Sequence, residues 1–222
     1  MATRTPPVRS ALLAGSTGLI GAALLPLLRA SPHYGALHLL LRRTPPGVTA
    51  DARTTLHLVD FAALGALPAV DDVYIALGTT IKVAGSQAAF RRVDFDAVVN
   101  TARAARAAGA TRLAIVSALG ADARSAVFYN RVKGEMQDAV AALGYASVVL
   151  AQPSLLLGDR AALGQPTRPI ESFAARTLGP LLGLVPRALR PIRADIVSGA
   201  MIDAMLNPVP GLRLLPSKAM QP

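Results

Sequence analysis

Residues 9–29, RSALLAGSTGLIGAALLPLLR, constrain the fold more than any other part of this 222-residue chain. The apolar run 11–14 is short enough for a buried strand, and residues 15–18 (GSTG) have turn propensity. From Leu19 onward the apolar residues recur at helical spacing as far as Arg29. The stretch therefore predicts a strand, a glycine turn and a helix in immediate succession.

Three glycines recur at intervals of three residues in this stretch, at Gly15, Gly18 and Gly21. In a dinucleotide site the first glycine lets the chain turn sharply, the second lets the backbone approach the pyrophosphate, and the third lets the helix pack closely. The helix N-terminus adds free N–H groups and the positive end of its dipole. We therefore predict a phosphate-binding loop formed by Gly15, Ser16, Thr17, Gly18, Leu19, Ile20 and Gly21.

Two other interpretations of this stretch stay open. Glycines beside an apolar run can form an ordinary loop. Residues 10–28 also carry no charge and follow Arg4 and Arg9, which is similar to a secretory signal or a membrane anchor. Because five glycine, serine and threonine residues interrupt the run at its middle, we expect no membrane span.

Length and composition favour a single α/β domain covering residues 1–222. Apolar residues make up 52% of the chain and aromatic residues only 4%, which fits strands that are buried on both faces. The absence of cysteine excludes disulfides, thiolate zinc sites and cysteine nucleophiles, and we predict no metal site. We expect a cytoplasmic protein.

The net charge of +10 does not by itself indicate a nucleic-acid partner. The arginines are scattered, and few aromatic residues are available to stack on bases, so we expect no specific nucleic-acid binding. Weak, salt-sensitive attraction to polyanions remains an alternative.

The rest of the chain alternates short apolar runs with helical patterns, which predicts a doubly wound parallel sheet. Further strands are expected at 36–41, 55–59, 73–77, 112–116 and 147–151, and a seventh at 212–215. Long helices are expected at 87–108, 125–143 and 194–206. We predict that residues 158–210 form a small lobe over the cofactor that shapes the substrate pocket.

The end of the second predicted strand carries Arg42 and Arg43. In a doubly wound sheet this position faces the adenosine ribose, where an acidic residue would accept from the 2′-hydroxyl and arginine would accommodate a 2′-phosphate. No acidic residue stands there, so we favour NADP and keep NAD as an alternative. A solvated arginine pair beside a turn is the other interpretation.

Two further strand ends carry candidate cofactor contacts. Asp60, after the third strand, has two interpretations: it reaches an adenine amino group, or it caps a helix that begins there. Gly78 ends the fourth strand, where a glycine lets the chain pass close to a ligand.

A second set of residues indicates an enzyme. Tyr129 and Lys133 are four residues apart and share one face of a predicted helix. An ammonium beside a phenol stabilises the phenolate and favours proton transfer to a carbonyl oxygen. Ser117, at the end of the fifth strand, can hydrogen-bond the same oxygen. Such a pair also arises by chance on a helix surface. Here the pair follows the glycine turn and then the serine along the chain, and this order favours a catalytic site.

These motifs resemble the short-chain dehydrogenase/reductase superfamily, in its atypical or extended branch, with glycine spacing G-x-x-G-x-x-G. A closer similarity is to the Tat-interacting-protein-like oxidoreductases, and it runs from about residue 10 to residue 160. It rests on VDF at 59–61, LGTT at 77–80, RVD at 92–94, GAD at 120–122 and VKGE at 132–135.

The resemblance implies a Rossmann-like fold with strand order 3-2-1-4-5-6 and hydride transfer at the nicotinamide. It implies that Tyr129 gives or takes the proton and that Lys133 holds the ribose hydroxyls. It also implies cofactor contacts from Arg42 and Arg43 (adenosine phosphate), Asp60 and Phe61 (adenine), Leu77, Gly78 and Thr79 (middle of the cofactor), and the segment from Pro153 to Leu156 (nicotinamide end).

This chain departs from the family pattern at two positions. Ser117 is followed by Ala118 where relatives often have a second serine, and Gln152 precedes Pro153 where an arginine is common.

We therefore predict an NADP-dependent oxidoreductase acting on a small carbonyl or alcohol substrate, as a monomer or homodimer. The alternative is a protein that senses NADP and binds a partner with little or no turnover.

Overall fold

The computed structural model describes residues 8–45, 47–158 and 185–221. Its strands in chain order are β1 (Arg9–Ala14), β2 (Tyr34–Leu41), β3 (Thr54–Leu58), β4 (Asp72–Ile75), β5 (Arg112–Val116), β6 (Ser147–Gln152), β7 (Leu156–Leu157), β8 (Ile192–Arg193) and β9 (Gly211–Pro216). The helices are α1 (Leu19–Ala30), α2 (Ile81–Ala84), α3 (Gln87–Arg91), a π-helical turn (Arg92–Ala97), α4 (Val98–Ala107), α5 (Phe128–Ala141), α6 (Ala194–Leu206) and α7 (Ser217–Met220).

The central sheet has seven strands in the order β3-β2-β1-β4-β5-β6-β9. All six strand pairs are parallel, so every carboxyl end lies at the same edge. This confirms the predicted order and adds the seventh strand beside β6. Strands β7 and β8 form a separate two-stranded sheet.

Helices cover both faces of the sheet, which is why the central strands are apolar on both sides. On one face α1 and α6 form a core that includes Leu24, Leu28, Val197, Met201 and Met205. On the other face α4 and α5 form a core that includes Val98, Ala102, Met136 and Val140. The architecture is therefore the doubly wound α/β class predicted from the sequence.

The crossovers on either side of β4 differ from the prediction. The helix expected at 87–108 consists of α3, the π-helical turn and α4 in succession. Residues 59–71, between β3 and β4, are all described and form no helix: Asp60 Oδ1 accepts from the Ala62 N–H at 2.9 Å and closes a turn. The suggestion that Asp60 caps a helix is therefore wrong, because its side chain stabilises a turn instead.

The predicted lobe 158–210 is described only in part, since residues 159–184 lie outside the described residues. Within it, α6 packs against α1 in the main core. The uncharged stretch 10–28 is divided between β1, the glycine turn and α1. Across the described ranges, no helix combines the length and the apolar character needed to cross a membrane.

Candidate functional site

The glycine turn is packed tightly against the end of β4. Gly15 has φ +92°, and a Cβ there would lie 2.6 Å from the carbonyl carbon of Ala76. A Cβ at Gly21 would lie 1.9 Å from the Gly15 carbonyl oxygen. Both positions therefore require glycine, because the start of α1 touches the turn that precedes it.

Gly18 differs from its two neighbours because the protein leaves space beside it. A Cβ at Gly18 would make only ordinary contacts, at 3.4 Å from the Gly15 carbonyl oxygen. Gly18 is also the N-cap of α1 and has no side chain with which to cap this helix. The open backbone and the N–H groups at the start of α1 form a cradle that suits a phosphate.

Ser16 adds a hydroxyl to this cradle. The residue is 2% exposed, and its Oγ has no hydrogen-bond partner among the described residues. A buried polar group without a partner is costly. A phosphate oxygen at the turn is the kind of acceptor that this hydroxyl lacks, so the residues present fit a dinucleotide.

Lys133 lies beside the loop that follows β4. The residue is 4% exposed, and its Nζ forms an ion pair with Asp94 Oδ1 at 2.7 Å. A Cβ at Gly78 would lie 3.9 Å from that Nζ. Because the preceding residues, Ala76 and Leu77, touch Gly15, the ammonium lies at the same sheet edge as the glycine turn.

Asp94 is the residue that fixes this ammonium, and the sequence reasoning missed it as a site residue. It is fully buried in the π-helical turn, and its Oδ2 accepts from the Thr79 N–H at 2.8 Å. The carboxylate thus joins Lys133 to the backbone after Gly78. An acidic residue at an inward position of an alanine-rich helix was the signal that could have found it.

Tyr129 is half-buried one turn before Lys133 on α5. Its ring packs against Phe90 with centroids 5.4 Å apart. In the part of the chain that the structure describes, its hydroxyl has no hydrogen-bond partner. The ring contact with Phe90 therefore fixes the position of the phenol.

Ser117 lies at the carboxyl end of β5 and is 5% exposed. Its Oγ accepts from Gln137 Nε2 at 2.5 Å, and Gln137 Oε1 accepts from Gln152 Nε2 at 3.3 Å. Sequence reasoning also missed Gln137, although it lies on the same face of α5 as Tyr129 and Lys133. Its spacing of four residues from Lys133 was the available signal.

Gly134 explains how α5 comes so close to the loop after β5. A Cβ there would lie 2.0 Å from the backbone nitrogen of Ala123. The Asp122 N–H also donates to the Asn130 carbonyl at 3.1 Å. The helix that carries Tyr129 is therefore fixed against this loop by backbone contact.

The predicted adenosine contacts lie at the neighbouring strand ends. Arg42 and Arg43 are exposed directly after β2, and Ala14 of β1 is in register with Leu40 of β2. Asp60 is exposed after β3. The Phe61 side chain is 7% exposed and belongs to the core of the α4 face, so its backbone and Asp60 are the groups left to meet a base.

The predicted nicotinamide contacts lie on the other side of the glycine turn. Pro153 is buried after β6, and its carbonyl accepts from the Leu119 N–H at 2.9 Å. Leu156 is half-buried in β7. Shortly after it, a Cβ at Gly158 would lie 2.4 Å from Leu19 Cδ1, so this segment crosses the start of α1.

The structure thus places the predicted residues along one edge of the sheet, in the spatial order of the strands. The glycine turn touches the β4 loop, and Gly78 of the same loop lies beside Lys133. Ser117 is linked to Lys133 only indirectly, because it accepts a hydrogen bond from Gln137, one turn beyond Lys133 on α5. Such an edge can hold an extended ligand with the adenosine end near Arg42 and the reactive end near Tyr129.

Comparisons with known proteins agree with this geometry. The family model described as NAD(P)H-binding matches residues 15–156. The fmp52 protein of Emericella nidulans is 33% identical over 90% of this chain and 88% of its own length. The FMP52 protein of Candida albicans is 31% identical over 87% of this chain and 86% of its own length.

Solved structures share the fold at low sequence identity. MoeE5 in complex with UDP-glucuronic acid and NAD is 18% identical with a TM-score of 0.71, covering 93% of this chain and 75% of that chain. The Bordetella bronchiseptica enzyme WbmG in complex with NAD is 15% identical with a TM-score of 0.67, covering 98% of this chain and 75% of that chain.

The comparisons correct one prediction and confirm another. We expected a cytoplasmic protein, whereas both fungal relatives are named as mitochondrial proteins, so that prediction is wrong. The similarity to atypical short-chain dehydrogenases is confirmed by the family match and by the fold. The chain therefore belongs to the NAD(P)H-binding family, whose model matches residues 15–156, and to the same family as the fungal fmp52 proteins.

Proposed function

We propose that this protein is an NADP-dependent oxidoreductase that transfers a hydride between the nicotinamide and a small carbonyl or alcohol substrate. One observation carries the proposal: Lys133 is buried on the Tyr129 face of α5, against the loop that touches the glycine turn. A phosphate cradle and a phenol with an ammonium at one edge suit proton-coupled hydride transfer.

Each part of the cofactor has residues of suitable chemistry. The turn from Gly15 to Gly21 would hold the pyrophosphate, Arg42 and Arg43 the 2′-phosphate, and Lys133 the ribose hydroxyls. When bound, the nicotinamide supplies or accepts the hydride. Asp94 keeps the Lys133 ammonium in one position by the 2.7 Å ion pair.

Tyr129 and Ser117 would act on the substrate oxygen. In the reducing direction, Tyr129 donates its hydroxyl proton to the oxygen, while Ser117 holds that oxygen by a hydrogen bond. The Lys133 ammonium stabilises the phenolate that is left. In the oxidising direction the phenolate takes the proton from the alcohol.

Replacing Tyr129 by phenylalanine tests this assignment. We expect turnover of NADPH with a carbonyl panel to fall by about 100-fold or more, because the proton donor is lost. The Kd for NADPH should change by less than about threefold, because the ring remains. Tyr145→Phe is the matched control: it removes a hydroxyl that donates to the Ala102 carbonyl in the core.

Two results contradict the proposal. Turnover that is unchanged in Tyr129→Phe would remove the residue from the chemistry. A wild-type protein that binds NADPH but reduces no member of the panel would favour cofactor sensing over catalysis.

A further inference from the structure

Gln137 connects the end of β6 to the hydroxyl of Ser117. Its Nε2 donates to Ser117 Oγ at 2.5 Å, and its Oε1 accepts from Gln152 Nε2 at 3.3 Å. It lies on α5 one turn beyond Lys133, so Tyr129, Lys133 and Gln137 form one stripe along the helix. Of these three residues, Gln137 is the one that contacts Ser117 at the end of β5.

These contacts have a direction. A side-chain amide has a donating end and an accepting end, and Gln152 occupies the accepting end of Gln137. The NH2 group of Gln137 must then face Ser117. A hydroxyl has one hydrogen and can accept as well as donate. Because Ser117 Oγ already accepts from Gln137, its own hydrogen is left for another acceptor.

From this arrangement we infer that Gln137 is a positioning residue that makes Ser117 a hydrogen-bond donor to the substrate oxygen. The inference rests on the proposed function. A carbonyl oxygen can only accept, so a site for it needs donors, and Tyr129 and Ser117 then supply two. Gln152 takes part by fixing which end of the Gln137 amide faces the serine.

Gln137→Glu reverses the direction of the hydrogen bond between residue 137 and Ser117, and it hardly changes the shape of the side chain. An ionised carboxylate cannot donate; it accepts from the Ser117 hydroxyl and takes the hydrogen away from the substrate. We expect kcat at pH 8 to fall by about tenfold or more. This loss is smaller than the roughly 10²–10³-fold fall in kcat that follows the complete removal of a donor. The Kd for NADPH should stay within about twofold, because Gln137 does not belong to the glycine turn.

The pH profile separates this role from a structural one. A protonated carboxyl can donate to Ser117 Oγ again, so the ratio of variant to wild-type kcat should rise as the pH is lowered from about 8 toward 5. Gln137→Met cannot donate or accept through an amide, so its smaller loss of kcat should not depend on pH. Gln137→Met also removes the donor without introducing a charge, so it tests the role of Gln137 even if the glutamate variant folds poorly.

Gln87→Glu is the matched control, because it makes the same chemical change at an exposed position of α3. It should keep the wild-type kcat and pH profile. If the wild type turns over and Gln137→Glu matches it within about twofold at every pH, the positioning role is refuted and the proposed function stands. If the wild type reduces no carbonyl, both are refuted together.

Discussion

Gly18 and Gly21 lie in the same turn but have different surroundings. A Cβ at Gly21 would lie 1.9 Å from the Gly15 carbonyl oxygen, whereas one at Gly18 would lie 3.4 Å from it. Gly18 also has φ −79° and ψ 168°, an extended conformation that alanine adopts without strain. Gly18 therefore has open space beside it, whereas Gly21 is needed by the fold.

Alanine at each position should separate the two roles. We expect Gly18→Ala to keep the free energy of unfolding within about 1 kcal/mol and to weaken NADPH binding by about tenfold or more, because its methyl group takes the space of the pyrophosphate. Gly21→Ala should lose about 2 kcal/mol or more, because the backbone must move. Urea unfolding measures the free energy of unfolding of each variant, and titration with NADPH measures its affinity for the cofactor. Equal effects of the two variants on both readouts would contradict this division.

Asp94 carries the other residue-scale prediction, because it neutralises a buried ammonium. Asp94→Asn keeps an oxygen for the Thr79 N–H but leaves Lys133 without its counter-charge. We expect a loss of about 3 kcal/mol in the free energy of unfolding, the usual result of removing one partner of a buried pair.

Asp96→Asn, two residues away in the same π-helical turn, is the control and should cost less than about 1 kcal/mol. Combining Asp94→Asn with Lys133→Met should recover part of the loss, because the buried charge is gone. If Asp94→Asn alone is as stable as the wild type, the ion pair contributes nothing to the free energy of unfolding.

At the scale of elements, β2 and β3 are joined by a histidine pair. His38 Nδ1 and His57 Nε2 are 2.9 Å apart. Burial, and then the charge of His57, lower the pKa of His38 from its ordinary value. The native protein therefore resists protonation of His38 more than the unfolded chain does. Stability from this pair is complete above the unfolded pKa of about 6.5 and decreases as the pH falls toward the lower native pKa.

His38→Gln should therefore reduce the loss of stability on acidification. We expect the fall in the free energy of unfolding between pH 7.5 and pH 5 to be smaller in this variant than in the wild type. The third histidine, His33, lies outside the pair, so His33→Gln should keep the wild-type fall. Urea unfolding at the two pH values gives the comparison. Identical falls in all three proteins would exclude the pair as the cause.

At the scale of the whole molecule, the two edges of the sheet have different chemistry. The carboxyl edge carries the candidate site. Near the opposite edge, Asp72 is fully buried, forms an ion pair with Arg112, and accepts from the Tyr34 hydroxyl at 2.7 Å. Burial raises the pKa of Tyr34 well above its ordinary value, so the hydroxyl remains a donor there. The buried cluster around Asp72 therefore stabilises the edge that does not carry the candidate site.

The strand order could be predicted because buried parallel strands and amphipathic helices repeat their patterns along the chain. The glycine turn and the placing of Tyr129 and Lys133 on one helix could be predicted because their spacing is local. Asp94 and Gln137 were missed, since their partners are distant in the sequence and only packing brings them together. The π-helical turn was missed because the alanine-rich pattern of 87–108 fits one continuous α-helix equally well.

Titration of the wild type with NADPH and NADH side by side tests the central claim most directly. We expect NADPH to bind at least about tenfold more tightly, and Arg42→Ala with Arg43→Ala to remove most of that preference, since each charged contact contributes about 1.5–3 kcal/mol. Arg103→Ala, which removes one exposed arginine on α4, should leave it intact. Equal affinity for the two dinucleotides, or no binding of either, would contradict the account.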